Sequence, residues 1–345
     1  MTLTRLHDFF GPEIRSMTDA REQFLAAPWP FYKRFFLDPS GGLLREYWDF
    51  CQEMSGKKRP AGPPEVGNKG EPSPAGDDLR AVVESSRGTS VATAIERYQA
   101  LPEGTVRQAL DTASEVVGDV DTDVYLIPGL STANAMTPTL GGRTVVVLCL
   151  DQNKGSGDLV TSMTHELSHC ALASATEPPV PWTWTIGQMM YSEGLAVASS
   201  LAAANVFRNQ GRSGSKSGDE GEYRDDREEK EEEAEAPNDG NVAAALWFTP
   251  EVLAWCRSNE ASLWAKALPA LNSGDRQDSF YWFAKFSADN WQQDGFPCRA
   301  GYYLGYSAVS GLLDRLSIRE AHRLPPGEWE AALLTRAKGL GVSRA

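Results

Sequence analysis

The segment Thr164-His165-Glu166-Leu167-Ser168-His169 constrains this chain more than any other feature of its sequence. Residues four apart share one face of an α-helix, so His165 and His169 are expected to direct two imidazoles towards one metal ion. Glu166 lies about 100° further around the helix, where a carboxylate reaches a water on the metal without taking a ligand position. The alternative interpretation is a helix with two surface histidines. The chain has only four histidines, so the pattern favours a metal site.

The residues around this segment predict a helix and a strand before it. An apolar stripe recurs at helical spacing on the side away from the histidines, at Leu159, Met163, Leu167 and then Cys170 or Ala171. Asp158 is a possible N-cap. The β-branched run from Val145 to Leu150 follows a Gly-Gly turn and predicts a strand buried on both faces. At a sheet edge this strand would align an extended peptide, but its apolar character argues against an exposed edge.

A catalytic zinc usually takes three protein ligands and keeps a fourth position for water. Six residues after His169 stands Ala175, which excludes a third histidine at that spacing. Glu193 precedes a run of small residues, through Ala204, that predicts a helix able to approach a neighbour closely. Glu193 is therefore the predicted third ligand, and Glu177 is a second candidate. The alternative interpretation of Glu193 is a first-turn glutamate that the helix dipole favours.

The order His165-Glu166-x-x-His169 and then Glu193-Gly194-Leu195-Ala196 resembles the gluzincin metallopeptidases. More narrowly, the chain resembles a bacterial family described as predicted zinc-dependent proteases, over roughly residues 80–320. Further similarity lies in Tyr125-Leu126-Ile127-Pro128-Gly129, in Gly141-Gly142-x-Thr144 and in the segment from Arg299 to Tyr306. One position departs from the pattern. Many gluzincins carry an aspartate four residues after the ligand glutamate that orients a histidine ligand, whereas this chain has Val197 there. Either another residue takes this role, with Asp151 as the candidate, or the zinc is held less firmly than in the proteins that this chain resembles.

The resemblance implies an α+β fold that is mainly helical and zincin-like. It implies a small β-sheet, an active-site helix and a second helix that bears the third ligand. The implied function is a zinc-dependent peptidase, a hydrolase in which His165, His169 and Glu193 hold Zn²⁺. Glu166 is then the general base on a metal-activated water. The alternative is a catalytically inactive zinc-binding protein with an interaction or regulatory role.

The resemblance also suggests a residue for the oxyanion. Metallopeptidases commonly use a tyrosine or histidine to donate a hydrogen bond to the oxygen that becomes charged. Tyr302, in Gly301-Tyr302-x-x-Gly305, is the implied catalytic donor, with Tyr306 and His322 as alternatives. An aromatic ring packed beside a glycine is the competing interpretation of Tyr302.

Composition divides the chain into three predicted parts. Residues 1–54 form an aromatic helical segment, expected to pack on the core as a hairpin rather than to form an aromatic substrate groove. Residues 55–78 are rich in proline, glycine and lysine and predict a flexible linker. Residues 79–345 are the expected metallopeptidase-like domain, interrupted at 209–241 by an acidic insertion. Residues 219–235 carry eleven acids and three bases, and such a segment is expected to be disordered.

Charge and cysteine usage narrow the partners and the compartment. Residues 219–235 account for −8 of a net charge of −14, so the rest of the chain gives phosphate-based nucleic-acid binding no electrostatic support. No membrane-spanning run or signal peptide is apparent, and five widely spaced cysteines predict no disulfide framework. The expected protein is cytoplasmic and acts on a peptide or protein substrate. The sequence carries no prediction of oligomeric state.

Overall fold

The computed structural model describes residues 4–54, 74–174, 184–214, 239–283, 292–293 and 295–343. Within these residues the chain is mainly helical with a small mixed sheet, which agrees with the predicted α+β class. The chain separates into two compact units. One comprises residues 1–111 and 119–166, and the other residues 112–118 and 167–345. The predicted linker and the acidic insertion lie largely outside the described residues.

The helices of the described residues fall into two groups in chain order. The first group is α1 (Gly11–Ser16), α2 (Ala20–Ala26), α3 (Pro28–Tyr32), α4 (Leu43–Met54), α5 (Pro74–Val83), α6 (Thr89–Ala100), α7 (Thr105–Val117) and α8 (Ser156–Ser174). The second group is α9 (Ile186–Gly214), α10 (Asp239–Ala245), α11 (Pro250–Ser258), α12 (Glu260–Ala267), α13 (Arg276–Phe283), α14 (Ala300–Leu313), α15 (Ile318–Ala321) and α16 (Pro326–Gly339). The division between the two units passes through α7 and α8.

The strands of the described residues are all short. They are β1 (Arg5–Asp8), β2 (Asp123–Ile127), β3 (Ala135–Met136), β4 (Thr139–Leu140), β5 (Arg143–Thr144), β6 (Val146–Cys149), β7 (Gln292–Gln293) and β8 (Phe296–Pro297). The main sheet has the order β1-β2-β6-β3, with β1, β2 and β6 parallel and β3 antiparallel to β6. The remaining strands pair as two small hairpins, β4 with β5 and β7 with β8.

Strand β6 is interior to the sheet, on the side of the question that its apolar character favoured. All four of its residues are buried, as the β-branched run predicts, and it pairs with β2 on one side and β3 on the other. The stretch from Val145 to Leu150 therefore has no edge along which to align a peptide. The described edge on this side belongs to β3. The predicted Gly-Gly turn is present before β6, because Gly141 and Gly142 both take positive φ between β4 and β5.

The other edge of the sheet is β1, which the sequence did not reveal. Arg5–Asp8 pairs in parallel with Asp123–Ile127, although residues 1–54 were expected to contribute only helices. Four residues with polar ends carry too little alternation to predict a strand. Asp123 ties the two strands together by accepting from Arg5 Nε at 2.7 Å and contacting His7 Nε2 at 2.9 Å. The Arg5 guanidinium, with His7, lowers the pKa of Asp123 to about 2.

The aromatic segment before residue 54 packs as core, as the helical pattern predicts. Phe31, Tyr32 and Phe36 are buried, and so are Tyr47 and Trp48 on α4. The turn between α3 and α4 includes one π-helical stretch, Lys33–Leu37. This packing belongs to the first unit.

The second unit is built on α9, α14 and α16. Its core includes Ile186, Met190 and Val197 from α9 and Leu304 and Ala308 from α14. A buried carboxylate crosslinks three helices of this unit. Glu260 of α12 accepts from Arg336 Nε on α16 at 2.8 Å and from the Tyr303 hydroxyl on α14 at 3.0 Å.

All five cysteines are free thiols, and four of them are buried. Cys149 and Cys170 are small core residues, as predicted, and burial raises the pKa of the Cys149 thiol. Among the described helices, none combines the length and the apolar content needed to cross a bilayer.

Asp123→Asn is expected to destabilise the protein by about 1–2 kcal/mol at pH 7, after allowance for the half-exposed Arg5. A carboxyl group whose pKa is lower in the folded state stabilises the fold above its unfolded pKa and loses that effect as pH falls through the folded pKa. The difference from wild type should therefore shrink as pH falls from about 4 towards 2. Urea unfolding of wild type and Asp123→Asn across this pH range measures the difference in unfolding free energy.

Asp121→Asn is the matched control, since this exposed neighbour also faces Arg5 and Arg143. We expect a change below about 0.5 kcal/mol there. Equal losses in the two variants would contradict a specific role for Asp123 in holding β1.

Candidate metal centre

Helix α8 carries the first two candidate ligands on one face. The predicted apolar stripe is buried along the opposite side, at Leu159, Met163, Leu167 and Cys170. Asp158 is not the N-cap. The helix begins at Ser156, and Asp158 lies in its first turn and accepts from the backbone N–H of Lys154 at 2.9 Å. The boundary between the two units falls after Glu166. Because α8 is continuous there, helix geometry alone sets the spacing of His165 and His169.

Helix α9 carries Glu193 and begins earlier than the sequence suggested. It starts at Ile186, so Glu193 lies well inside the helix and not in its first turn. The next residue, Gly194, lies against α14, where an added Cβ would be only 2.1 Å from the Gly305 carbonyl carbon. A Cβ on Gly305 would be 1.8 Å from the Met190 carbonyl oxygen. Gly194 and Gly305 therefore make a close contact between α9 and α14.

His165, His169 and Glu193 come together in the described structure. Each offers one ligand atom, and these atoms lie within 4.8 Å of one another. His169 Nε2 is 3.5 Å from Glu193 Oε2. Two ligands about 2.1 Å from one tetrahedral ion stand about 3.4 Å apart, so this pair already has the spacing of zinc ligands. Two imidazoles and a carboxylate are also a donor set that catalytic zinc uses. The residues fit the ion.

Ser192 orients the second imidazole. Its Oγ lies 2.8 Å from His169 Nδ1. A histidine that binds metal through Nε2 keeps its proton on Nδ1, and that N–H then donates to the serine oxygen. The contact therefore engages the ring nitrogen of His169 that does not face Glu193. Asp151, the candidate for orienting a histidine ligand, is instead buried and accepts from the backbone N–H groups of Gly129 and Ser131 at 2.7 and 2.8 Å.

The Glu166 carboxylate accepts a hydrogen bond from Thr137. The Thr137 hydroxyl donates to Glu166 Oε2 at 2.5 Å, and Thr137 directly follows the edge strand β3. One residue earlier, Met136 belongs to that strand and pairs with Val147. The carboxylate therefore lies at the end of an edge strand, where a chain paired with β3 would pass.

The three candidates for an oxyanion donor have different surroundings. Tyr302 packs among aromatic rings, 5.8 Å from Trp247 and 5.7 Å from Phe283, with the Arg299 guanidinium 4.3 Å above it. This is the packing that the competing interpretation of Tyr302 describes. Tyr306 is half-buried on α14, and its backbone nitrogen would be 2.6 Å from a Cβ at Gly194.

His322 is engaged at both ring nitrogens. Nδ1 lies 2.8 Å from the Ile318 carbonyl, to which it must donate, and Nε2 lies 2.8 Å from Ser168 Oγ, from which it accepts. Burial lowers the pKa of His322 to about 4, so the ring is neutral at pH 7. Neither nitrogen is left for a substrate oxygen in this arrangement.

Two polar residues of the site were not predicted. Ser192 stands next to a candidate ligand, and that adjacency was the only available signal. Thr137 has no sequence signal, because its contact with Glu166 spans 29 positions and depends on the chain path between them. Glu177, the second candidate ligand, lies outside the described residues.

Comparisons of the chain with protein-family models, with curated proteins and with solved structures find no match. The assignment of a function therefore depends on the geometry of these residues.

Gly305→Ala is expected to destabilise the protein by about 1–3 kcal/mol, because the new methyl group must displace the α9 backbone. Gly311→Ala, in the same helix with open space around its Cα, should be neutral or stabilising by up to about 1 kcal/mol. Urea unfolding of both variants measures the difference. Equal stabilities would contradict a rigid contact behind Glu193.

Proposed function

We propose that this protein is a zinc-dependent peptidase of the gluzincin type, with a zincin-like arrangement of its catalytic helices. The observation that carries the proposal is the approach of His165, His169 and Glu193 to a common point, with Glu166 on the same helix as the histidines. Zinc held there would supply Lewis acidity, which acidifies a water and polarises a peptide carbonyl. The expected setting is cytoplasmic, with peptides or proteins as substrates.

The roles of the chain's own residues follow from their contacts. His165 and His169, through ring nitrogens, and Glu193, through its carboxylate, would hold the ion. Ser192 keeps the His169 ring in the tautomer that leaves Nε2 unprotonated. Glu166, oriented by Thr137, accepts a proton from the attacking water and returns it to the leaving amine.

The edge strand β3 supports peptide binding at this site. Its partner β6 occupies one side, and among the described strands none pairs with the other side. An extended peptide can add to such an edge by main-chain hydrogen bonds. This assigns to β3 the alignment that the sequence suggested for the interior strand.

Glu166→Gln is expected to lower peptide hydrolysis by about 10²–10⁴-fold while leaving zinc bound, because the amide has the shape of the carboxylate but accepts no proton. His165→Ala and Glu193→Gln should instead lose zinc. Metal content and hydrolysis of a broad peptide library, measured on the same full-length samples, separate these effects.

Two results would exclude the proposal in different ways. If wild type and Glu166→Gln both hold about one zinc per chain and neither cleaves the library, the inactive zinc-binding protein is the better description. If purified wild type holds far less than one zinc, and His165→Ala is the same, the cluster is not a metal site.

Ser192→Ala is expected to weaken zinc binding by about 10–100-fold, since the Nδ1–H of His169 loses its acceptor. Ser199→Ala is the matched control, because Ser199 lies on the same helix, is also buried, and donates to the Leu195 carbonyl. Competition with a chelating zinc indicator measures both affinities. Equal affinities would show that Ser192 does not orient the ligand.

A further inference from the structure

A pocket of about 330 Å³ lies in the first unit, beside the edge strand β3. Its wall includes Trp48, Cys51 and Met54 of α4 together with Met136 of β3, which make it largely apolar. Arg87 is the charged residue of the wall. This volume is at the lower end of the range for small-ligand sites, which are typically apolar with a few polar groups that orient the ligand.

Two residues of this wall carry a polar group that has no partner in the described part of the chain. The Trp48 side chain is buried, and its indole N–H finds no acceptor there. The Arg87 side chain is exposed, and no described carboxylate forms an ion pair with its guanidinium. Buried donors are normally satisfied, and an unpaired guanidinium is a ready site for a carboxylate.

The loop that contributes Ser131 and Thr132 to the pocket wall has a strained backbone. Leu130 and Ser131 take φ values of 52° and 58°, in the left-handed region that residues with side chains rarely adopt. The buried Asp151 carboxylate holds this conformation through the N–H groups of Gly129 and Ser131. Strain that the surroundings maintain is often found where a ligand binds.

Two successive residues of the chain contact the pocket and Glu166: Met136 of β3 lines the pocket, and Thr137, just after the strand, contacts Glu166. Met136 Sδ is 3.8 Å from the Tyr47 hydroxyl on α4, whereas the next residue, Thr137, contacts Glu166 on α8. A peptide paired with β3 would alternate in the same way, since directly opposed residues on neighbouring strands point to one face. The residue opposite Met136 would face the pocket, and its neighbours would face Glu166.

We propose that this pocket selects peptides that carry a large apolar side chain close to a carboxylate, with the apolar group in the pocket and the carboxylate on Arg87. The proposal rests on the proposed peptidase function, because the peptide must lie along β3. The carboxylate belongs either to the peptide C-terminus or to an aspartate or glutamate side chain. Both present the same anion to the guanidinium.

Binding is tested in full-length Glu166→Gln protein, so that turnover does not interfere. Three peptides of one length serve as probes: one ending in phenylalanine with a free carboxylate, its C-terminal amide, and an amide with an internal Phe-Glu pair. Calorimetry gives the affinities. Alkylation of Cys51 by iodoacetamide, mapped by mass spectrometry, gives the location, because Cys51 lines the pocket and is the one cysteine that is not buried.

We expect at least one acid-bearing peptide to bind and to slow Cys51 alkylation about 10-fold or more, and the amide without glutamate to bind about 10-fold less tightly. Tight binding of only the first peptide identifies the C-terminal carboxylate, and tight binding of only the third identifies the side chain. Adding Arg87→Gln to this protein should weaken the binding of the acid-bearing peptides about 10-fold. The control is Arg107→Gln, because Arg107 is an exposed arginine of the same unit that lies outside the pocket. This variant should leave the affinities unchanged.

The proposal is overturned if saturating peptide leaves Cys51 alkylation unchanged, if none of the peptides binds, or if the two arginine variants bind alike. These outcomes do not depend on hydrolysis, so they differ from failure of the peptidase proposal. If wild type and Arg87→Gln both cleave the library and show the same sequence preference, the proposal for the pocket is overturned and the peptidase proposal stands. If wild type binds the peptides, with Cys51 protected from alkylation, but cleaves no peptide of the library, the peptidase proposal alone is overturned.

Discussion

The contact between α9 and α14 determines where the third candidate ligand lies. Gly194 and Gly305 bring the two backbones so close that neither position has room for a Cβ. Glu193 precedes Gly194 by one position, about 100° around the helix, so its side chain leaves α9 in a different direction from the contact. The carboxylate is thereby directed to His169, 3.5 Å away.

Hydrogen bonds to neutral side chains complete the centre. Ser192 contacts His169, and Thr137 contacts Glu166, so one hydroxyl orients a candidate ligand and the other orients the proposed base. Buried Asp151 has a different task, because its carboxylate holds the loop at Ser131. A buried carboxylate is costly unless it is hydrogen-bonded, and two backbone N–H groups meet that need away from the metal site.

The edge strand β3 lies between the pocket wall on α4 and the Glu166 carboxylate on α8. One of its residues contacts α4 beside the pocket, and the residue that follows the strand contacts the carboxylate on α8. The aromatic segment before residue 54 consequently contributes to two parts of the first unit, the core and the pocket. Its buried rings form core, and Trp48 with Cys51 also forms the pocket wall. A sequence pattern separates these possibilities poorly, because packing and ligand binding both require an apolar face.

Local periodicity determined the features that one element encodes by itself. The helix around His165 and His169, its buried stripe, the position of Glu166 and the buried character of Val146–Cys149 all follow from spacing along one helix or one strand. The strand order and the side-chain contacts between elements depend on the tertiary structure. Strand β6 is interior, and β1 forms the opposite edge of the sheet. Ser192, and not Asp151, contacts His169, and Tyr302 packs among aromatic rings. Those outcomes depend on contacts between elements, and side-chain spacing within a single element does not specify which distant residues meet.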